Sequence, residues 1–322
     1  MPISPQTDPD FKFKPVGLEP GEQPPLESPA ELGPLEQLLG PDGEPGRWEG
    51  EGFNTIWRPH ELANGGQDRF LELNLTSEKL VFTRIPGKIP NRGLLMPDID
   101  MVGLTYMQEI KGLDPIEGLH IEPGIWASVP PTSDPAVGAT VVRMASIPHG
   151  TTILAQGEAK TAPGPHITPN NIIPFKIGTP APPNSDFAQA EAIFTELNLA
   201  TPTPFRQASK AVTQEMVENP NSVIEKAIIG QDIKETTVLI VSTKHEPVPG
   251  GGTSNTAFLE DGKKPPGGNA DAVEVDAIFW IETVAGAYGE PDKLQLQYTQ
   301  LVQLDFNGLR WPHVSVATLK KV

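Results

Sequence analysis

Apolar and polar residues alternate along residues 294–306, and this period of two is that of a β-strand with one buried and one polar face. Shorter segments of the same character recur from Trp48 onward, separated by clusters of Pro and Gly. About ten such segments follow one another, most of them joined in sequence. This order favours an antiparallel barrel over a sandwich, with the last strand closing against the first. We therefore predict a mostly β protein, an antiparallel β-barrel of about ten strands with a small helical insertion.

The sequence predicts one barrel domain over residues 46–322, with insertions near residues 163–230 and 246–268. The first insertion starts as a Pro-rich extended stretch over residues 163–183 and continues as two helical patterns. One helix is predicted over residues 186–197, and the other starts at residues 219–222 and ends at Gly230. The second insertion is rich in Gly and Pro, which predicts a loop.

Residues 1–45 differ from the rest of the chain, because they contain 11 Pro and nine acidic residues against two Lys. Such a segment buries too little apolar surface to offset the entropy of ordering, which predicts a disordered or draped acidic arm. Within it, the apolar patch over residues 32–39 is predicted to form one helical turn that packs on the barrel.

The overall charge of −17 comes from 24 basic and 41 acidic residues. This balance argues against nucleic acid and against anionic membranes as partners, since both are bound by clustered Lys and Arg. The chain has no Cys, which excludes disulfides, thiolate metal sites and a Cys nucleophile. It also shows neither a signal-peptide pattern nor a long apolar run, so the expected location is the cytoplasm. The oligomeric state is left open.

In the first predicted strand, three glycines and one tryptophan occupy alternate positions, in the pattern Gly46-x-Trp48-x-Gly50-x-Gly52. A strand face without side chains lets another backbone, or a flat ligand, approach closely. Trp48 is expected to plug the closed end of the barrel, a structural role.

Three segments in order resemble the nitrobindin-like, lipocalin-related haem proteins. The first is the Gly-Trp-Gly-Gly pattern just described. The second, over residues 119–126, is similar to the family's His-x-Glu-x-Gly segment. The third, over residues 309–322, is similar to its C-terminal Pro-His strand with a basic end. The whole chain also resembles larger bacterial and fungal proteins described as haem-binding. Its acidic arm and insertions have no counterpart in the compact members of the family.

The resemblance implies a barrel that holds haem b at one open end, with His313 as the iron ligand and His120 in the segment that lines the haem side. It also implies binding of diatomic gases such as nitric oxide, and reaction with peroxide or peroxynitrite.

The residues themselves leave two interpretations of His313 open. A neutral imidazole at a barrel mouth is a good haem ligand. Yet Val314 and Val316 alternate with His313, and simple patterning would bury the valines and expose the histidine.

Four further residues are candidates for binding the ligand, namely His120, Trp126, His149 and Arg58. His120 shares a strand face with Glu122 and Trp126, so it either lines a pocket or forms a bracing His–Glu hydrogen bond. His149 lies in a turn between two predicted strands and is either an ordinary turn residue or a rim residue. Arg58 follows the glycine pattern and is suited to a ligand carboxylate such as a haem propionate, or to one of the many surface acids.

Two other functions are compatible with the same barrel. One is a lipocalin-like carrier of an apolar small molecule, without metal. The other is an isomerase or cyclase that uses His120 and Glu122 in the barrel pocket. A further possibility is that the insertions fill the barrel mouth and remove the haem site.

Overall fold

The computed structural model describes residues 11, 13, 31–60, 68–244, 251–260 and 269–322. Within these residues, ten long antiparallel strands close into a barrel. They are β1 (Gly46–Pro59), β2 (Arg69–Arg84), β3 (Ile99–Leu113), β4 (Ile116–Val129), β5 (Thr140–Ile147), β6 (Thr151–Ala162), β7 (Ile233–Ser242), β8 (Asp271–Val284), β9 (Lys293–Phe306) and β10 (Leu309–Lys321). The predicted mostly β fold, with a barrel of about ten strands, is confirmed.

Shorter elements decorate the barrel. The described helices are α1 (Phe187–Ile193), α2 (Gln214–Glu218), α3 (Ser222–Ala227) and α4 (Ala257–Glu260), and 3-10 turns cover Gly33–Leu38, Pro41–Gly43, Asn184–Asp186, Thr195–Leu197 and Ala287–Gly289. Short strands cover Ile89–Asn91, Thr132–Ser133, Ala136–Val137, Phe175–Lys176, Arg206–Ala208 and Gly252–Asn255. In the described part of the chain, no helix combines the length and the apolar character needed to cross a bilayer.

The barrel closes where its first and last strands meet. β1 pairs with β10, with Trp48 opposite Lys321 and Thr55 opposite Val314. β1 also pairs with β2, and β2 pairs with β3 to complete the ring. The last strand therefore closes against the first, as predicted.

The glycine pattern allows this closure. A Cβ atom on Gly50 would lie 2.1 Å from the carbonyl oxygen of Thr318, and one on Gly52 would lie 2.3 Å from that of Val316. Because no side chain tolerates such distances, only glycine lets the two backbones come this close. The sequence left open whether a backbone or a flat ligand lies against these glycines, and the structure shows that it is the backbone of β10.

One end of the barrel interior is closed by the segment just before β1. The 3-10 turn Gly33–Leu38 lies across this end, and the indole nitrogen of Trp48 donates a hydrogen bond to the carbonyl oxygen of Leu38 at 3.0 Å. The apolar patch of the predicted arm is buried in the same core cluster as Trp48, through Leu32, Leu35, Leu38 and Leu39. Residues 1–10, 12 and 14–30 of that arm lie outside the described residues.

A second core lies on the outside of the barrel, where the insertion at 163–230 covers one wall. Trp57 donates a hydrogen bond to the carbonyl oxygen of Ile172 at 2.8 Å and packs against Phe194. Val314 and Val316 are completely buried in this outer core. Both faces of β10 are therefore covered, the outer face by the insertion and the inner face by the barrel itself.

Several predicted boundaries are wrong. Residues 70–75 and 79–83 are two apolar runs separated by Thr76, Ser77 and Glu78, a sequence pattern that predicts a hairpin, but β2 runs through this stretch without a break. The predicted helix over 186–197 is shorter, since α1 ends at Ile193 and a 3-10 turn follows. In the predicted loop at 246–268, Gly252–Asn255 is a strand and α4 follows it. Residues 246–250 and 261–268 of that loop lie outside the described residues.

Candidate functional site

A cavity of about 450 Å³ occupies the end of the barrel away from Trp48. Its wall is largely apolar and includes Ile56, Ile110, Ile147, Val275, Val302 and Leu304. Four of the five predicted site residues line it as well, namely Arg58, His120, His149 and His313. Segments far apart in the sequence thus meet here, because strand ends at one rim of a barrel are neighbours in space.

His313 is placed on the cavity wall by the register of β10, which puts it opposite Val302 of β9. Its side chain points inward, whereas Val314 and Val316 of the same strand point outward into the second core. Burial, with smaller contributions from the charges of His120 and His149, lowers the pKa of His313 to about 3. The ring is therefore neutral at neutral pH, and among the described residues it has no hydrogen-bond partner.

His120 and His149 form a pair at the cavity wall, with ring centroids 5.8 Å apart. Nε2 of His120 lies 3.3 Å from Oε2 of Glu122, so the bracing His–Glu contact exists and the histidine lines the cavity too. His149 follows the end of β5 and is exposed at the rim. Partial burial and the charge of His120 lower the pKa of His149.

Arg58 lies at the rim with its guanidinium already engaged. Its Nε is 2.5 Å from Oε1 of Glu72, and its guanidinium carbon lies 4.3 Å from the centre of the Phe70 ring. A ligand carboxylate at this rim would share Arg58 with Glu72.

Trp126 does not line the cavity, which corrects its predicted place. It shares the inward face of β4 with His120, but six residues of strand separate the two, or about 20 Å. Trp126 is 2% exposed and packs edge-on against Phe279, with ring centroids 5.2 Å apart. It belongs to the barrel core.

A buried ionic layer separates that core from the cavity. Nη2 of Arg143 lies 2.5 Å from Oε1 of Glu122, and Nε of Arg143 donates to the hydroxyl of Tyr106 at 3.0 Å. Tyr106 also hydrogen-bonds Glu122, and Arg143 reaches Gln300 on the cavity wall. Burial alone would raise the pKa of Glu122, but Arg143 and the hydrogen bonds outweigh it and lower this pKa to about 2. Glu122 is therefore ionised.

A second buried carboxylate, Glu78, behaves in the opposite way. It accepts hydrogen bonds from Tyr298 at 2.7 Å, Gln108 at 3.3 Å and Thr76 at 3.1 Å. Burial outweighs these hydrogen bonds and raises the pKa of Glu78 to about 7. Tyr298 and Gln108 line the cavity, so this carboxyl lies directly behind its wall.

Sequence reasoning missed Glu78, Tyr106, Arg143 and Tyr298. Tyr298 could have been found, because it lies on the predicted buried face of the alternating strand β9. The other three give no signal in the sequence, because their partners are distant along the chain. In the described residues, no group of three or more His, Cys, Asp or Glu side chains has an arrangement that could hold a metal ion. Three histidines line the cavity, and His313 is the one whose pKa burial lowers to about 3.

Fold and site together define a closed antiparallel β-barrel with a histidine-lined cavity. No family model and no curated protein matches the chain. Among solved structures, the chain is similar to the crystal structure of Rv2717c from M. tuberculosis, with a TM-score of 0.38 and 14% sequence identity. That match covers 92% of this chain and 98% of the other.

Proposed function

We propose that the protein binds haem b in the barrel cavity, with His313 as the iron ligand. The observation that carries the proposal is the state of this imidazole. It is neutral, has no hydrogen-bond partner among the described residues, and faces a mainly apolar cavity. Polar groups inside proteins normally have partners, so such a ring is available to a ligand.

The cavity suits a flat, mostly apolar group. Its volume of about 450 Å³ falls in the range of small-molecule and cofactor sites. Haem iron in many proteins is held by one neutral histidine, which is the donor found here. The three motifs that resemble nitrobindin-like proteins support the same assignment.

The insertion at residues 163–230 does not remove the site. It packs on the outside of the barrel, and none of its residues lines the cavity. From the described part of the second insertion, Leu259 contributes to the wall. In the described parts of both insertions, the cavity in front of His313 is therefore left unfilled.

The other polar residues would orient the ligand and its surroundings. His120 is held by Glu122 and presents its ring to the cavity beside His149. Arg58 would take a propionate in competition with Glu72. A haem with one histidine ligand supplies a position for diatomic gases and for peroxide or peroxynitrite.

Titration of the purified protein with hemin tests the proposal. We expect a Soret band distinct from that of free hemin, saturating at one equivalent, together with a rise in melting temperature. His313→Ala should abolish both changes. His166→Ala is the matched control, because His166 is exposed and lies in the insertion away from the cavity. A free-hemin spectrum, or a shifted band that survives His313→Ala, would refute the assignment.

The apolar wall also favours a second candidate function, that of a carrier for an apolar small molecule without metal. Thermal stabilisation by fatty acids or sterols, combined with no response to hemin, would support the carrier.

A further inference from the structure

Three side chains close a hydrogen-bonded triangle at the inner end of the cavity. The Tyr298 hydroxyl lies 2.7 Å from Oε2 of Glu78. Nε2 of Gln108 donates to that same oxygen at 3.3 Å and to the Tyr298 hydroxyl at 3.1 Å. Tyr298 and Gln108 line the cavity, whereas Glu78 is only 2% exposed behind them.

Glu78 forms no ion pair with the described residues, in contrast to Glu122 with Arg143. A buried carboxyl without a cation favours its neutral form, because desolvation penalises the charge. Thr76 donates to Oε1 of Glu78, so the proton of the neutral form lies on Oε2. Oε2 then donates to the Tyr298 oxygen, which already accepts from Gln108. Both lone pairs of that oxygen are then filled. The Tyr298 proton has no other acceptor among the described residues, so it points into the cavity.

We propose that the inner end of the cavity is a subsite for an uncharged hydrogen-bond acceptor, a carbonyl or ether oxygen on an otherwise apolar ligand. Tyr298 donates to this oxygen, and Glu78 is the positioning residue that turns the hydroxyl toward the ligand. Along β10, the residue opposite Tyr298 is Ala317, which lies four strand residues, or about 13 Å, from His313. The inference is independent of haem.

The subsite changes character with pH. Because the pKa of Glu78 is raised to about 7 by burial, the carboxyl is neutral below this pH and ionised above it. Once Glu78 is ionised, it accepts a hydrogen bond from the Tyr298 hydroxyl, which then no longer donates into the cavity. The charged groups that act on the pair are His120 on β4, which acts on Glu78, and Arg143 on β5, which acts on Tyr298 and is itself paired with Glu122.

Two isosteric ligands test this subsite in haem-free, full-length protein. Acetophenone carries a carbonyl oxygen where α-methylstyrene carries a methylene group, and neither titrates. Isothermal titration calorimetry at about pH 5.5 and about pH 8.5 brackets the Glu78 transition. We expect acetophenone to bind about tenfold more tightly at the lower pH, the worth of one hydrogen bond. Binding of α-methylstyrene should not change with pH.

Two variants assign the effect to the pair. Tyr298→Phe should bind acetophenone no better than α-methylstyrene. Glu78→Gln, which cannot ionise, should remove the pH response. Glu282→Gln is the control, because Glu282 is a buried acid outside the cavity and its variant should keep the response. Circular dichroism melts check folding, and if Tyr298→Phe does not fold, Glu78→Gln alone decides.

The proposal is overturned if neither ligand binds, if both bind alike at the lower pH, or if the pH response survives Glu78→Gln. None of these results bears on the hemin titration, so the two proposals fail separately.

Discussion

Glu122 and Arg143 form an ion pair inside the barrel, with 2.5 Å between Oε1 and Nη2 and both side chains almost fully enclosed. The guanidinium carbon also lies 5.4 Å from the centre of the Phe279 ring, and the carboxylate accepts from Tyr106. Their joint effect is to place a charged but fully bonded layer between the apolar core and the cavity. Such a layer fixes the depth of the cavity and orients His120 on its wall.

Removing one partner of this pair should destabilise the protein strongly. Arg143→Met leaves the Glu122 charge buried without a cation, and we expect a loss of about 3–5 kcal/mol in the free energy of unfolding. The double variant Glu122→Gln with Arg143→Met should recover part of this loss, because no charge remains. Urea denaturation measures both, and a double variant that is no more stable than Arg143→Met would contradict the argument.

The same pair predicts a loss of stability in acid. The pKa of Glu122 falls from its ordinary value of 4.5 to about 2 on folding. Its contribution to stability is therefore present above pH 4.5 and is lost as the pH falls toward 2. Urea midpoints measured down this range should decrease in the wild type. The share of this decrease that is due to Glu122 should vanish in Glu122→Gln.

The sequence predicted the barrel because apolar and polar residues alternate along a strand that has one buried and one polar face, as they do along β9. It failed where the interior itself is polar. Residues 76–78 interrupt two apolar runs with polar side chains, which predicts a turn, yet Thr76 and Glu78 point inward and Thr76 donates a hydrogen bond to Glu78. It was equally ambiguous at His313, because the outer face of β10 is buried under the insertion and both faces are covered.

The turn that closes the barrel should contribute as much stability as an ordinary core element. Leu38 is 1% exposed, and Leu38→Ala should cost about 2–5 kcal/mol through lost burial and a cavity. Leu94 is 95% exposed, so Leu94→Ala should change stability by less than about 0.5 kcal/mol. Thermal and urea unfolding compare the two variants, and equal effects would show that the turn is not part of the core.

The close approach of β1 and β10 can be tested at one glycine. Gly50→Ala places a Cβ atom 2.1 Å from the Thr318 carbonyl oxygen, and the required backbone shift should cost about 1–3 kcal/mol. Gly164→Ala is the control, since nothing lies within 4 Å of its Cβ position. A Gly50→Ala variant that melts with the wild type would mean that the strands separate without cost.

Of the site, the sequence could indicate His120 and His313, because they lie in short motifs that resemble a known family, and His149, because it lies in a turn between two predicted strands. It could not indicate the polar groups behind them. Glu78 and Tyr298 are 220 residues apart in the chain, and only closure of the barrel brings them within 2.7 Å. Arg143 and Glu122 are 21 residues apart, on adjacent strands whose register no motif specifies. Pairings of this kind follow from tertiary structure alone.

Glu282 provides the last prediction, since its charge is opposed by its surroundings. The even spacing of Glu274, Asp276 and Glu282 along one strand predicts a solvated outer face, and Glu274 and Asp276 do pair with Lys244. Glu282 instead is fully buried. Its Oε2 accepts from Gln295 at 2.7 Å, and its Oε1 has no partner among the described residues.

Burial therefore raises the pKa of Glu282 from 4.5 to about 7. As the pH rises, Glu282 ionises in the unfolded chain before it ionises in the folded protein. The free energy of unfolding is therefore highest below pH 4.5, as far as Glu282 is concerned, and falls as the pH rises to about 7. Glu282→Gln removes this loss and should raise the free energy of unfolding at about pH 8 by on the order of 2 kcal/mol. Glu235→Gln, at an exposed position of the neighbouring strand β7, should have no such effect. Urea unfolding at about pH 5 and about pH 8 decides, and a Glu282→Gln variant without a gain at the higher pH would show that this carboxyl ionises freely in the folded protein.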